Sequence, residues 1–197
     1  MTKRPIVFID RDGTLNKEAG YINHIDNFKL YPFVYHGIRL LNHFNILSVI
    51  ITNQAGIGRG YFTEDFLKDV HNKMFGLLEK NGAFIDGLYY CPHHPSSKLA
   101  EYAVKCDCRK PKTKMLEKAV AKFSPHVDTE RMYVIGDKFS DIKMGYNFGC
   151  RTVMVKTGYG AGELMSKDKD KPQPSKIEKN FLSAVLWIIK DLNLNTF

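Results

Sequence analysis

Short apolar runs alternate with longer stretches of helical periodicity along almost the whole chain, and this alternation restricts the folds that the chain can adopt. The runs, which are rich in β-branched and aromatic residues, lie at 6–9, 47–51, 88–91, 132–135 and 152–155. Helical periodicity covers roughly 35–44, 64–80, 112–122, 141–148 and 181–192. Alternation of this kind is typical of a parallel sheet with helices on both faces. We therefore expect an α/β, doubly wound fold in a single domain over 1–197.

Helix boundaries are marked by local signals. Pro111 stands where a first helical residue is expected, because proline fits that position without the loss of a hydrogen bond. Asn81 and Gly82 are expected to end the helix over 64–80. The stretch 158–175 is polar and contains glycine and proline, so we expect a mobile surface loop there.

The formal net charge of +8 raises the question of a nucleic-acid partner. The basic residues are scattered, and the one dense cluster, at 167–171, alternates lysine with aspartate. That alternation is typical of a solvated loop and not of a basic stripe that follows phosphates. A basic balance equally fits a pocket for a small anionic substrate, and charge alone does not choose between the two.

Neither membrane insertion nor secretion is indicated by the sequence. The longest apolar stretches are too short to cross a bilayer, and no signal-peptide core precedes the first apolar run. The four cysteines are few and unevenly spaced, which favours metal ligation over a disulfide framework. We expect a cytoplasmic protein with no membrane partner.

Polar side chains stand at the carboxyl ends of three of the predicted strands. They are Asp10 and Asp12 after the first run, Thr52, Asn53 and Gln54 after the second, and Asp137 and Lys138 after the fourth. Since the carboxyl ends of parallel strands meet at one edge, these groups are expected to converge where open α/β sheets bind ligands. Asp10 and Asp12 would face the same side if the strand geometry continued, so one cation could contact both.

The three aspartates suit a metal-assisted phosphoryl transfer. Asp10 can attack a phosphorus centre and form an acyl-phosphate, which splits one difficult displacement into two. Asp12 can protonate the leaving alcohol and then deprotonate the water that hydrolyses the intermediate. Asp10 and Asp137 supply the hard oxygen ligands that Mg²⁺ prefers.

Further donors and cations lie near these aspartates in the predicted topology. Thr52 and Asn53 offer hydroxyl and amide donors to phosphoryl oxygens, and Lys110 offers a cation at a predicted helix start, where the dipole also favours an anion. Asp141 is interpreted as a first-turn residue of the next helix, stabilised by the helix dipole. The glycine-rich segment around Arg59 lacks the spacing of a nucleotide-binding fingerprint and is expected to be a flexible loop.

Two close pairs of metal-ligating residues predict a metal site in one loop, over about 91–108. The first pair has the spacing Cys-x-His and the second the spacing Cys-x-Cys. Three thiolates and one imidazole are a standard set for a closed tetrahedral zinc site, so we expect a structural Zn²⁺. The four residues are Cys91, His93, Cys106 and Cys108.

The position of this loop matters for the predicted active site. His93 is the better zinc ligand of the two adjacent histidines, because its spacing from Cys91 equals that between Cys106 and Cys108. His94 is then left to form a hydrogen bond or to face solvent. Arg109 and Lys110 directly follow Cys108. A zinc ion would therefore fix the segment that delivers two cations to the site.

Taken in order, these motifs resemble the haloacid dehalogenase superfamily of aspartate-nucleophile phosphatases. The closer resemblance is to its D-glycero-D-manno-heptose 1,7-bisphosphate 7-phosphatase family, and it covers about 5–158. The segments that carry it are Asp10-x-Asp12-Gly-Thr, Gly20-Tyr21, Thr52-Asn53-Gln54, Ile57 to Phe62, Cys91-Pro-His-His-Pro, Cys106-Asp-Cys-Arg-Lys-Pro and Gly136-Asp-Lys138.

The resemblance implies a mainly parallel, Rossmann-like sheet with a small zinc-binding loop insertion. It implies Asp10 as nucleophile and Asp12 as acid and base, with Mg²⁺ on Asp10, the backbone carbonyl of Asp12 and Asp137, and zinc on the four loop residues. Thr52 and Lys110 would hold the transferring phosphoryl group. The residues expected to contact the substrate are Gly20, Tyr21, Asn53, Gln54, Arg59, Arg109 and Lys138.

The activity that the resemblance implies is removal of the 7-phosphate from D-glycero-D-manno-heptose 1,7-bisphosphate, in the biosynthesis of nucleotide-activated heptose for lipopolysaccharide. The nearest alternative is a histidinol-phosphate phosphatase, which shares the aspartates and a similar zinc loop. Alternatives of other classes are a nucleic-acid-binding protein with end-phosphatase activity and a zinc-bearing scaffold with an inactive site. We expect a monomer that acts on a small phosphorylated sugar and binds no nucleic acid, and we leave the anomer open.

Overall fold

The structure is a computed structural model that describes residues 3–166 and 171–194. Its centre is a six-stranded sheet in which every neighbouring pair of strands is parallel, in the order β3-β2-β1-β4-β5-β6. The strands are β1 Arg4–Ile9, β2 Leu47–Asn53, β3 Gly87–Cys91, β4 Val127–Gly136, β5 Arg151–Val155 and β6 Lys176–Glu178. This order is that of a Rossmann-like sheet, and it confirms the predicted doubly wound architecture.

Helices connect the strands. They are α1 Val34–His43, α2 Glu64–Glu79, α3 Lys114–Phe123, α4 Phe139–Asn147, α5 Gly160–Leu164 and α6 Phe181–Asp191. Two single turns of 3₁₀ helix lie at Ile25–Asn27 and Ala100–Tyr102. Gly82, with a φ of +65°, follows the end of α2 as the sequence predicted.

The sheet separates two hydrophobic cores. Alternate side chains of β1 face opposite sides, so that Val7 and Ile9 pack with α1, α2 and α6, while Ile6 and Phe8 pack with α3 and α4. Because both faces of the sheet are covered by helices, the central strands β1 and β2 are buried along nearly their whole length and are mostly apolar, without a regular alternation of polar and apolar residues.

The structure differs from the sequence prediction over 158–175. The short helix α5 lies in this stretch, and its first residue, Gly160, is buried. The strand β6 follows it and was not predicted, since it has three residues and lies at the sheet edge. Most of the Lys–Asp alternation at 167–171 lies outside the described residues.

The start of α3 corrects a second prediction. The helix begins at Lys114, with Thr113 as its N-cap, so Pro111 is not its first residue. Residues 109–112 form a turn instead, because the amide of Lys112 donates to the carbonyl of Arg109 at 2.9 Å. Lys110 therefore lies in a turn and not at a helix N-terminus. Within the described ranges, no helix is long and apolar enough to cross a membrane.

Candidate active site

The candidate active site lies at the carboxyl edge of the sheet, where the strand order reverses. The chain runs from β1 to β2 and β3 on one side, and from β4 to β5 and β6 on the other. The amide of Asp10 donates to the carbonyl of Ile135 at 2.9 Å, so the ladder between β1 and β4 extends to the first aspartate. Open α/β sheets bind ligands at such a switch point.

Three buried carboxylates meet at this point and form what we call the carboxylate cluster: Asp10, Asp137 and Asp141. One ligand oxygen from each lies within 4.8 Å of the others. The ammonium of Lys110 is inserted among them, with Nζ 2.5 Å from Oδ1 of Asp10 and 2.6 Å from Oδ1 of Asp141. It also donates to the carbonyl of Ile51 at 3.1 Å. One cation therefore holds two of the three carboxylates.

The electrostatics of the cluster favour a further positive charge. Burial raises the pKa of Asp10 to about 6, against the opposing effect of Lys110. Burial, together with the charges of Asp10 and Asp141, raises the pKa of Asp137 to about 9. Oδ1 of Asp137 is buried and has no hydrogen-bond partner in the described part of the chain. An oxygen-lined site with excess negative charge and an orphaned carboxylate oxygen fits a hard divalent cation.

Two glycines make room for Asp137. Gly13 has a φ of +85° and Gly158 a φ of +57°, both in the left-handed region that favours glycine. A Cβ atom added at either position would lie 2.1 Å from Oδ2 of Asp137. The same oxygen accepts from the amide of Tyr159 at 2.8 Å. The backbone therefore encloses one oxygen of Asp137 and leaves the other for a ligand.

Asp12 has a different environment from Asp10. Its carboxylate accepts hydrogen bonds from Nη2 of Arg11 at 2.9 Å, from Nδ2 of Asn16 at 3.0 Å and from Nε2 of Gln54 at 2.8 Å. The charge of Arg11 and these hydrogen bonds outweigh burial and lower the pKa of Asp12. Asp12 is not part of the carboxylate cluster, which corrects the expectation that one cation contacts both carboxylates of the motif.

Asp141 belongs to the site, whereas its place in the sequence favoured a first-turn residue stabilised by the helix dipole. It does cap α4, because the amide of Lys138 donates to its Oδ2 at 3.1 Å. Its other oxygen is paired with Lys110 in the cluster. The signal that could have found it is its place in the first turn of the helix that directly follows Asp137, at the same edge of the sheet.

The end of β2 and the residue that follows it support Asp12 and Lys110. Nε2 of Gln54 donates to Oγ1 of Thr52 at 2.8 Å as well as to Asp12. Because the Thr52 oxygen accepts this bond, its own proton remains available for another acceptor. Oδ1 of Asn53 accepts from the amide of Lys110 at 3.1 Å, so Asn53 positions the backbone that carries the lysine.

A cavity of about 300 Å³ opens beside the carboxylate cluster. Its walls include most of the side chains that the sequence predicted for catalysis and substrate contact: Asp10, Asp12, Gly20, Tyr21, Thr52, Asn53, Gln54, Arg109, Lys110 and Lys138. Arg59 does not line it; its guanidinium lies 5.8 Å from the ring centroid of Tyr21. Glu18, which was not predicted, lines the cavity, and its Oε2 lies 3.5 Å from Nζ of Lys138.

A second cluster of ligand atoms, the Cys/His cluster, consists of Cys91, His93, Cys106 and Cys108. Sγ of Cys91 lies 3.5 Å from Sγ of Cys106 and 3.0 Å from Sγ of Cys108, and Nδ1 of His93 lies 3.3 Å from Sγ of Cys108. All four ligand atoms lie within 4.8 Å of one another, and no pair forms a disulfide. This chemistry and spacing fit a tetrahedral zinc ion.

The remaining histidine of the loop, His94, is not part of the Cys/His cluster. Its Nδ1 accepts from the amide of Ser96 at 3.0 Å, in keeping with the prediction that it would be left to hydrogen-bond.

The Cys/His cluster is connected to the cavity through its own backbone. The carbonyl of His93 accepts a hydrogen bond from Nη1 of Arg109 at 3.3 Å, and Arg109 lines the cavity. The glycine-rich loop packs against the same segment, because the carbonyl of Gly58 accepts from the amides of Lys98 at 2.9 Å and Leu99 at 3.1 Å. The loop expected to be flexible is therefore held by backbone hydrogen bonds.

Comparisons with known proteins agree with this arrangement. The HAD-hydrolase-like family model matches residues 107–183. The D-glycero-beta-D-manno-heptose-1,7-bisphosphate 7-phosphatase of Haemophilus influenzae is 42% identical over 153 residues, which cover 77% of this chain and 82% of the relative. The D-glycero-D-manno-heptose-1,7-bisphosphate 7-phosphatase of Thermosynechococcus vestitus is 35% identical over 193 residues, covering 96% of this chain and 97% of the relative.

A solved structure matches nearly the whole chain. The D,D-heptose 1,7-bisphosphate phosphatase from B. bronchiseptica, complexed with magnesium and phosphate, superposes with a TM-score of 0.83 at 25% identity, covering 95% of this chain and 99% of that one. The resemblance drawn from the motifs is thereby confirmed. The chain belongs to the haloacid dehalogenase-like hydrolases and, within them, to the family of heptose-1,7-bisphosphate 7-phosphatases.

Proposed function

We propose that this protein is a Mg²⁺-dependent phosphatase that removes the 7-phosphate from D-glycero-D-manno-heptose 1,7-bisphosphate. The observation that carries the proposal is the pairing of Lys110 with the carboxylate cluster at the wall of a cavity that Arg109 also lines. The names of the relatives supply the sugar. The small cavity, with basic and polar walls, supports a small phosphorylated substrate.

In the first half-reaction, Asp10 attacks the phosphorus and the bond to the sugar oxygen breaks. Asp12 gives its proton to the leaving oxygen, which becomes the free hydroxyl group. Asp12 is ionised in the free enzyme, since its donors lower its pKa, and the negative charge of an arriving phosphate favours its protonated form. The product of this step is an aspartyl-phosphate on Asp10.

In the second half-reaction, Asp12 takes a proton from a water molecule, whose oxygen attacks the phosphorus. The acyl-phosphate bond breaks, phosphate leaves and the Asp10 carboxylate is restored. Lys110 and the hydroxyl of Thr52 stabilise the negative charge on the transferring group in both halves. Asp12 thereby regains the proton that it gave to the leaving oxygen in the first half-reaction.

The residues that would hold Mg²⁺ are Asp10 and Asp137, together with the backbone carbonyl of Asp12. The orphaned Oδ1 of Asp137 supports this assignment. When bound, Mg²⁺ supplies charge stabilisation and orientation for the transferring phosphoryl group. The B. bronchiseptica enzyme, whose structure contains magnesium and phosphate, supports the same choice of metal.

We also propose that the Cys/His cluster binds a structural Zn²⁺ that fixes the segment 106–110. The cluster has four protein ligands, and none of them lines the cavity, which supports a structural role over a catalytic one. Through the carbonyl of His93, the ion would hold Arg109, whose guanidinium can bind the second phosphate of a bisphosphate.

The test compares four substrates with the purified enzyme and Mg²⁺: the α and β anomers of the heptose bisphosphate, heptose 7-phosphate and histidinol phosphate. We expect kcat/KM for one bisphosphate anomer to exceed that for histidinol phosphate by about 100-fold or more. Phosphorus NMR of the product should show loss of the 7-phosphate. Hydrolysis of histidinol phosphate alone, or loss of the 1-phosphate, would overturn the proposed substrate.

The Arg109→Met variant sharpens this test. A guanidinium that binds the distal phosphate contributes a charge-assisted contact, so its removal should lower kcat/KM for the bisphosphate about 10-fold to 100-fold. Heptose 7-phosphate lacks that phosphate and should be affected much less. Equal losses on the two substrates would contradict the assignment of Arg109.

We further propose that the enzyme is a monomer in the cytoplasm, that it serves nucleotide-activated heptose biosynthesis for lipopolysaccharide, and that it binds no nucleic acid. Size-exclusion chromatography with light scattering tests the oligomeric state. Titration with labelled oligonucleotides at moderate salt tests the last point, since binding through net charge alone falls steeply with salt.

A further inference from the structure

Arg11 connects the active site with the interior of the protein. It lies between the two aspartates of the motif, and its side chain is only 2% exposed. Nη2 donates to Oδ1 and Oδ2 of Asp12 at 3.0 and 2.9 Å, and Nη1 lies 3.0 Å from Nε2 of His71. The guanidinium also lies 6.0 Å from the ring centroid of Phe28. One buried cation thus joins Asp12 to a histidine that is distant along the chain.

The direction of the contact between Arg11 and His71 follows from chemistry. A guanidinium has donors and no acceptor, so Nε2 of His71 must accept, and the imidazole must be neutral with its proton on Nδ1. Burial, followed by the charge of Arg11, lowers the pKa of His71 to about 3, which agrees with a neutral ring. His71 therefore acts as a fixed acceptor for Arg11.

His71 is itself held by α2. It lies on the buried face of that helix, together with Leu67, Val70, Met74 and Leu78. The helix begins at a side-chain cap, because Oγ1 of Thr63 accepts from the amide of Phe66 at 3.1 Å. A packed and capped helix is a rigid support for one end of a hydrogen-bonded chain whose other end is Asp12.

We propose that His71 is a positioning residue for the phosphatase reaction, which fixes the guanidinium of Arg11 and thereby the direction of the Asp12 carboxylate. The inference rests on the proposed function, since His71 affects the reaction only if Asp12 is its general acid and base. Without the acceptor, Nη1 of Arg11 is a buried donor with a lost partner, and the guanidinium must turn to find another. Asp12 would then turn with it, because two of its hydrogen bonds come from Nη2.

The first test compares three substitutions of similar size. His71→Leu removes the acceptor, and we expect kcat to fall about 10-fold to 100-fold with KM changed by less than about twofold, as for a misplaced catalytic group. His71→Gln keeps an acceptor at nearly the same reach and should retain kcat within about threefold. His71→Asn carries an oxygen that falls short of Arg11 and should behave like the leucine variant.

Met74→Ala is the matched control for stability. Met74 is a fully buried residue one turn along the same helix face and does not line the cavity. Its truncation should lower the unfolding temperature and leave kcat per folded molecule unchanged. If His71→Leu affects kcat only as Met74→Ala does, His71 is a structural residue and the proposal is wrong.

A double-mutant cycle gives the decisive measurement. In an Arg11→Met background, His71→Leu should cause no further loss of kcat, because His71 acts through Arg11. An equal further loss in that background, or a kcat for His71→Leu within twofold of the parent enzyme, would overturn the inference. The Asp12→Asn variant distinguishes failure of the proposed function from failure of the role of His71. Full turnover in Asp12→Asn would overturn the proposed function. If Asp12→Asn is inactive and His71→Leu is unaffected, only the role of His71 is wrong.

Discussion

The carboxylate cluster and the Cys/His cluster are joined by the short segment from Cys108 to Lys110 but are built in opposite ways. The carboxylate cluster draws its members from the ends of two strands and the first turn of a helix, and a lysine from a fourth segment completes it. The Cys/His cluster draws all its members from the end of β3 and the loop that follows. One is assembled by the topology of the sheet, and the other by local spacing.

The difference in construction is also a difference in chemistry. The oxygen ligands belong to a rigid edge beside the cavity and include an atom without a partner, so they suit a cation that takes part in the reaction. The sulfur and nitrogen ligands face one another and leave no member at the cavity. A metal there would hold a segment in place without meeting the substrate. Substitutions in the two clusters should therefore fail in different ways.

The largest expected effect is that of Asp10→Asn, which keeps the shape of the nucleophile and removes its charge. Turnover should fall by a factor on the order of 10⁴ or more on every substrate, because no acyl-phosphate can form. Burst-phase measurement of phosphate release checks this. The Cys/His cluster should keep its zinc content, and an active Asp10→Asn variant would show that the nucleophile lies elsewhere.

Asp141→Asn tests the oxygen cluster without removing a proposed metal ligand. The substitution deletes the ion pair with Lys110 while a side chain of the same shape can still cap α4. We expect kcat to fall about 100-fold, since Lys110 would no longer be fixed against the transferring phosphoryl group. Steady-state kinetics on the bisphosphate and on p-nitrophenyl phosphate should show similar losses. An unchanged kcat would mean that Asp10 alone positions the lysine.

The smallest expected effect belongs to the Cys/His cluster and should depend on the substrate. Cys106→Ser should lose zinc and lower kcat/KM for the bisphosphate about tenfold, with a much smaller loss on p-nitrophenyl phosphate, which does not need Arg109. Metal analysis of the purified variant, together with its unfolding temperature, gives the independent readout. His94→Ala, in the same loop but outside the cluster, is the control and should keep both zinc and activity.

The sequence predicted what depends on local pattern. The alternation of apolar runs indicated five of the strands and both helical layers, and the cysteine spacing indicated the four members of the Cys/His cluster. The strand β6 was not predicted, because its three residues are exposed or half-buried at a sheet edge and form no apolar run. The start of α3 was misplaced because Pro111 occurs in turns as readily as at a helix start.

Contacts between distant segments could not be predicted in the same way. The pairing of Lys110 with Asp141 depends on the packing of α4 beside the turn that carries the lysine, and no local spacing encodes it. The same holds for Arg11 and His71, which are 60 positions apart and meet only because α2 covers the sheet. Burial raises the pKa of Asp10, whereas Arg11 and the hydrogen bonds around Asp12 outweigh burial there and lower its pKa. Which carboxylate is held ionised therefore depends on neighbours that only the whole fold brings together.

The close approach of Gly13 and Gly158 has a consequence for how this protein can vary. A Cβ atom at 158 would lie 2.5 Å from the Cα of Gly13, and one at 13 would lie 3.1 Å from the Cα of Gly158. A substitution at one position therefore cannot be relieved by any substitution at the other, because each already has the smallest side chain. In a library randomised at both positions, active clones should return glycine at both, so this part of the active site is closed to stepwise change.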